Sequence, residues 1–150
     1  MSDLFAGIDG GQSSTVATIG DRSGRVLGRG VAGPADEVGQ AADSTRLRDA
    51  LAAALAAALE SSGLPRDADF AEIVAGISGY EGRAVGLAPD LPSRSVHLMH
   101  DAPIAHAGAF CGAGGAIVIA GTGSVAYVGD GAAPGATYGG WGYLFGDEGS

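Results

Sequence analysis

Three short apolar segments stand in succession at the start of this chain before any helical pattern begins, and that order constrains the fold more than any other feature. Leu4–Ile8, "STVATIGD" (Ser14–Asp21) and "GRVLGRGVAG" (Gly24–Gly33) read as strands, with Gly20, Asp21, Ser23 and Gly24 turning the chain between the second and third. A long helix follows, with Asp43 or Ser44 as its N-cap and Gly63 then Pro65 closing it. Leu47, Leu51, Leu55 and Leu59 recur every four residues and form one apolar stripe for core packing on an alanine-rich helix. Strands and helices then alternate. "AEIVAGISGY" ends in Gly76, Ser78 and Gly79, "RSVHLMHD" is a buried strand ending at Asp101, and "APIAHAGAF" is a helix with Pro103 in its first turn. This order implies an α/β fold, a mixed sheet with helices on its faces.

After the glycine-rich "CGAGG" the pattern restarts as strand "AIVIA", loop "GTGS", strand "VAYV" and turn "GDG". Gly112–Gly115 is therefore the boundary candidate, dividing a domain over residues 1–112 from the first hairpin of a second over 113–150. The chain stops at "GDEGS", after a glycine-rich loop and where a helix could begin, so the second domain is expected to be truncated.

Charge narrows the function. The net charge is −9, from 17 acidic residues against 8 arginines, with no lysine. No basic face is available to displace the counterions of a nucleic acid, so nucleic-acid binding is not expected. Without lysine there can be no Walker A loop, and any phosphate must be held by backbone amides and a metal. No apolar run approaches the ~20 residues that span a bilayer, and "MSDLF" has no basic segment ahead of a hydrophobic one. The single cysteine, Cys111, excludes an intrachain disulfide and suits a reducing compartment. These features point to a cytoplasmic protein with no membrane partner.

Four stretches could carry chemistry. In "AGIDGGQSST" the first strand ends in Asp9, two glycines and a cluster of hydroxyl residues. Glycine permits positive φ and close backbone approach, so this is either an ordinary hairpin turn or a loop for a phosphate and its metal. "IAGTGSVAY" repeats the logic about a hundred residues later, and each hairpin can present amides to an anion. Asp101 in "HDA" falls, with Asp9 and Ser78, at the carboxyl end of a strand, where ligands gather in open α/β sheets. It could equally cap the helix that follows. "YGGWGYLFGDEGS" sets Trp141 among glycines ahead of Asp147 and Glu148, which suits a sugar ring and its hydroxyls, or simply a loop pinned by a buried aromatic. "GRGVAG" (28–33) matches G-x-G-x-x-G but lies in a strand pattern and runs into Pro34, so the match is accidental. His97 and His100, three apart on a strand, point to opposite faces and are not metal ligands.

In this order and spacing, "GIDGGQSST", "HDA", "AGTGS" and "GGWGYLFGDEGS" resemble the N-acetylglucosamine kinase and BadF/BadG/BcrA/BcrD ATPase family of the actin/hexokinase/Hsp70 superfamily. The resemblance covers the whole chain. It implies a ribonuclease H-like domain, then the first hairpin of a second like domain whose adenosine-binding half is missing. It also implies ATP and Mg²⁺ as cofactors and an amino sugar as substrate, with a homodimer open to the full-length form. On this pattern Gly10, Gly11, Gln12 and Ser13 form the first phosphate loop, with Asp9 contacting Mg²⁺ through water. Gly121, Thr122, Gly123 and Ser124 form the second, and Asp101 is the base that takes the proton from the attacking sugar hydroxyl. Ser78, Gly140, Trp141 and Asp147 lie around the sugar. The sequence departs from the family at His100 and at Asp36, where asparagine is common. Asp36 either turns the loop after Pro34 or faces the 2-amino group, where a bare carboxylate would favour the ammonium of glucosamine over the acetamide of N-acetylglucosamine.

A metal, amide-lined loops and one carboxylate suffice for phosphoryl transfer. Two domains closing over ATP would keep water from competing with the sugar. The alternatives are a BadF-type ATPase that activates a dehydratase or reductase, which needs cysteines for an iron–sulfur cluster where only Cys111 exists, and a non-catalytic sugar sensor.

Overall fold

The computed structural model describes residues 3–120, 124–131 and 135–140. The chain divides into two units, residues 1–101 and 102–150.

The first unit is built on a five-stranded mixed sheet in the order β3-β2-β1-β4-β5. Its strands are β1 (Leu4–Gly10), β2 (Thr15–Asp21), β3 (Val26–Ala32), β4 (Glu72–Ile77) and β5 (Val96–His100). β1, β2 and β3 form an antiparallel meander. The β2–β3 turn is closed by the Asp21 carboxylate, whose Oδ1 accepts the N–H of Ser23 at 2.9 Å and that of Arg25 at 3.2 Å. β4 and β5 then run parallel to β1, in a register that pairs Gly10 with Ile77 and Ile77 with His100. The carboxyl ends of β1, β4 and β5 therefore stand side by side.

Helix α1 (Arg46–Ser62) covers one face of this sheet. The leucine stripe is buried as its spacing requires: Leu47, Leu51, Leu55 and Leu59 pack with Ala6, Ile8, Ala17, Ile19, Ile73, Ala75 and Ile77. The helix lies so close to β3 that a Cβ at Gly28 would fall 2.4 Å from the Ala58 carbonyl oxygen, and one at Gly30 2.3 Å from that of Ala54. The two glycines of "GRGVAG" thus let a helix approach a strand. The Ser61 hydroxyl reaches from α1 to β3, accepting the N–H of Arg29 at 2.9 Å and donating to its carbonyl at 2.8 Å. An outer strand thereby has a peptide group satisfied from the side.

Two boundaries and the burial of one strand differ from those expected. β1 continues past Ile8 through Gly10, because Gly10 pairs with both Thr15 and Ile77. The N-cap of α1 is Thr45, not Asp43 or Ser44, and its side chain makes no capping bond. Ser44 still serves the helix start, its hydroxyl accepting the N–H of Arg46 at 3.3 Å while donating to Gln40 Oε1, and its carbonyl accepts the N–H of Leu87 at 2.8 Å. β5 is a half-exposed edge strand rather than a buried one.

The second unit holds most of α2 (Asp101–Phe110) and an antiparallel sheet of β6 (Gly115–Ala120), β7 (Ser124–Gly129) and β8 (Ala136–Gly139). The β6–β7 hairpin matches the restart seen in the sequence, and β8 is an added strand. Buried His106 ties α2 to this sheet. Its Nε2 lies 3.0 Å from the Gly115 carbonyl, and its ring sits 5.0 Å from Phe110 and 5.2 Å from Tyr127. Among the described residues, no helix is long and apolar enough to cross a membrane.

Candidate active site

Three loops meet at the carboxyl end of β1. The Gly10 carbonyl accepts the N–H of Ser78, just past β4, at 2.9 Å. The Gly11 carbonyl accepts the N–H of Ala35 at 3.0 Å, and the Gly11 N–H donates to the Ser14 carbonyl at 2.9 Å. Backbone bonds thus bring Gly10–Ser13, Asp36 and Ser78 to one end of the sheet. Neither Gly10 nor Gly11 takes the positive φ that the sequence suggested. Close approach is what requires them: a Cβ at Gly10 would sit 3.0 Å from that of Ala35, and one at Gly11 3.1 Å from the Ser14 carbonyl oxygen. Gln12 and Ser13 are exposed in this turn, and their backbone N–H groups donate to no protein acceptor among the described residues. Amides without a protein acceptor are what an anion-binding loop offers.

Asp9 stands on the rim just before this loop, on the face of β1 opposite the leucine-lined core. Burial, and after it the neighbouring Asp101 carboxylate, hold its pKa above the ordinary carboxylate value. Two carboxylates facing one another are costly, and a divalent cation between or beside them relieves the cost. Among the described residues, no group of three or more His, Cys, Asp or Glu could cage a metal by itself. A carboxylate pair fits Mg²⁺, which keeps several waters and completes its shell with substrate phosphates.

Asp101 follows His100 at the end of β5 and opens α2. Its Oδ1 is buried and accepts no hydrogen bond, although His100 Nδ1 lies 2.8 Å away. Oδ1 therefore makes no cap on α2.

Asp36 is buried, and its Oδ1 accepts a hydrogen bond from Arg46 Nη1 at 3.1 Å. The bare carboxylate assumed from the sequence is thus an ion pair. Next to it, the buried Glu37 carboxylate accepts the N–H groups of Val85 and Gly86 at 2.8 and 2.7 Å, fixing the loop. Ser78 and Glu37 line a cavity of about 350 Å³, with Gln40, Tyr80 and Arg83 also on its wall. The sequence reading missed Arg46 and Glu37. Both partners lie in loops or at a helix start, at separations of 10 and 48 residues that carry no periodic signal.

In the second unit, Ala120 pairs with Ser124 across the β6–β7 hairpin, and the Ser124 carbonyl accepts the N–H of Gly140 at 2.8 Å. Gly139 and Gly140 both have positive φ, at 79° and 73°. The candidate phosphate residue Ser124 and the candidate sugar residue Gly140 are thus neighbours. Gly121, Thr122, Gly123, Trp141 and Asp147 lie outside the described residues.

The family model described as BadF/BadG/BcrA/BcrD ATPase matches residues 6–150. Among solved structures, the chain is similar to a protein provisionally named N-acetylglucosamine kinase from Chromobacterium violaceum. The identity is 27% and the TM-score 0.76, over 95% of this chain and 50% of that one. A protein of the same provisional name from Porphyromonas gingivalis is 22% identical with a TM-score of 0.68, over the same shares, and shows the fold alone. The chain thus spans half the length of each. No curated protein matches it significantly. The mixed five-stranded sheet with its second, smaller sheet is that of an actin-like ATPase kinase.

Proposed function

This chain belongs to the BadF/BadG/BcrA/BcrD ATPase family, and on that premise we propose that it phosphorylates an amino sugar, N-acetylglucosamine or glucosamine, at the expense of ATP. The observation that carries this reading is the convergence at the end of β1. There an amide-bearing turn, a carboxylate with a raised pKa and loops carrying Asp36 and Ser78 meet, while Asp101 stands near enough to Asp9 to raise that pKa. Asp101 receives the proton of the sugar hydroxyl as that oxygen bonds to the γ-phosphorus and the bond to the β-phosphate oxygen breaks. The N–H groups of Gln12 and Ser13 hold phosphate oxygens, and the loop of Ser78 and Asp36 orients the sugar. Asp9 would hold Mg²⁺, whose charge would be available to neutralise the phosphates.

Gly121–Ser124 and Gly140, Trp141 and Asp147 complete the proposal as the second phosphate loop and the remaining sugar contacts. Because the chain covers 50% of each kinase-like structure, transfer is assigned to a protein of their length, and the 150 residues alone are expected to bind ATP weakly. The test is ATP-dependent phosphate transfer by the full-length protein to N-acetylglucosamine, glucosamine and glucose. Turnover with an amino sugar supports the reading. ATP hydrolysis with transfer to none of them would overturn it.

A further inference from the structure

A cation that begins a helix is in the wrong place for the helix. Arg46 is the first residue of α1, where the unpaired N–H groups carry the positive end of the macrodipole and a cation is disfavoured. Its guanidinium is held there by Asp36: Nη1 lies 3.1 Å from Oδ1, with the aspartate side chain 12% exposed and the arginine 39%. The loop bearing Asp36 is pinned on both sides, by the Ala35 N–H on the Gly11 carbonyl and by the Glu37 carboxylate on Val85 and Gly86. The backbone that carries Asp36 is therefore held in a fixed position. One bond uses Oδ1, which leaves Asp36 Oδ2 able to accept another.

We propose that Arg46 determines which amino sugar is accepted, by neutralising Asp36 so that the site selects a neutral N-acetylated sugar over one bearing a free ammonium. This rests on the sugar-kinase reading above. An isolated, nearly buried carboxylate would recruit the ammonium of glucosamine as its counter-ion. With Arg46 already supplying that charge, an ammonium beside the pair meets the guanidinium as a like charge. An acetamide meets no such penalty, and its N–H can donate to Oδ2. Selection thus comes from the repulsive element as much as from the attractive one.

The test is the ratio of kcat/KM for N-acetylglucosamine to that for glucosamine in the full-length protein and its variants, with thermal unfolding as the control for folding. The wild type should favour the acetylated sugar. Arg46→Gln should move the ratio toward glucosamine by roughly ten- to a hundredfold, the scale of one charge-assisted hydrogen bond. Arg46→Lys, which keeps the charge, should hold the wild-type preference. Asp36→Asn leaves the guanidinium uncompensated and should move the ratio the other way, which keeps the idea testable even if Arg46→Gln does not fold. A ratio within about twofold of wild type in both Arg46→Gln and Asp36→Asn would remove the pair from specificity (a tenfold change being about 1.4 kcal/mol). A wild-type protein that phosphorylates neither sugar would overturn the kinase reading instead, so the two failures are distinct.

Discussion

Replacing Gly30 by alanine would place one methyl group where the backbone of α1 already lies. The added Cβ would be 2.3 Å from the Ala54 carbonyl oxygen, 2.3 Å from the Ala58 nitrogen and 2.7 Å from the Ala57 carbonyl carbon. All three are main-chain atoms of a helix whose leucines are locked into the core, so no side chain can swing away. Restoring ordinary contact requires the helix or β3 to retreat by about 1 Å, which loosens close packing along the interface. Overpacking of this kind costs about 1–3 kcal/mol, and a backbone obstacle puts the cost at the upper end. Losing glycine's freedom in the unfolded chain returns about 0.4–1 kcal/mol, which leaves a net destabilisation of about 2 kcal/mol. Against a total of about 5–15 kcal/mol for a native domain, that is a large share. Urea unfolding followed by far-UV circular dichroism reads it directly, since α1 is the longer helix. Gly33→Ala is the matched control, because a Cβ there meets nothing within 4 Å and the residue does not have positive φ. If Gly30→Ala were as stable as Gly33→Ala to within about 0.5 kcal/mol, close approach would not be the reason for glycine in β3, a difference well below the typical overpacking cost.

Three further substitutions test the site and the sheet edge. In the full-length enzyme, Asp101→Asn should lower kcat by about 10²–10⁴-fold with little change in sugar affinity if proton acceptance is its role; steady-state kinetics with a change below about threefold would make it a structural residue only. Asp9 has a raised pKa in the fold, so its ionised form is the disfavoured one, and apo stability should fall as pH rises from the ordinary carboxylate value through the raised one. Asp9→Asn should therefore raise the melting temperature above that window and leave it unchanged below, and, if Asp9 holds Mg²⁺ as proposed, added Mg²⁺ should stabilise the wild type but not the variant; an unshifted melting curve at neutral pH would contradict the charge argument. Ser61→Ala takes away the hydroxyl that bonds both the main-chain N–H and the carbonyl of Arg29, and should cost about 1 kcal/mol by urea unfolding.

What the sequence made legible follows from what is local in it. The strands of the meander, the turn at Asp21 and the leucine stripe all rest on spacings shorter than about eight residues, and each appears where period and turn chemistry place it. The loop ends were less legible for the same reason. Asp43 and Ser44 both look like caps, but the cap position falls to Thr45, while Ser44 bonds the Arg46 N–H, Gln40 and Leu87, a residue 43 positions further on. β8 escaped notice because four residues between glycines show no alternation until β7 pairs with them. The two glycines of β3 looked like a failed nucleotide motif, since nothing nearby says that a helix 24 residues later will lie against Gly30.

The candidate site shows the same division, with a consequence for its chemistry. Its acidic and glycine residues could be picked out singly, because Asp9, Ser78 and Asp101 each end a strand or follow one. What could not be read was which of them share charge. Among the described residues Asp36 has a cation partner and Asp9 has none: Arg46 pairs with the first, while the second feels the charge of the Asp101 carboxylate. That asymmetry separates two jobs that the sequence left tangled among three aspartates. A carboxylate already paired from within the protein can position a neutral group without drawing in a cation. A carboxylate left to repel its neighbour offers a negative charge that a divalent cation can offset.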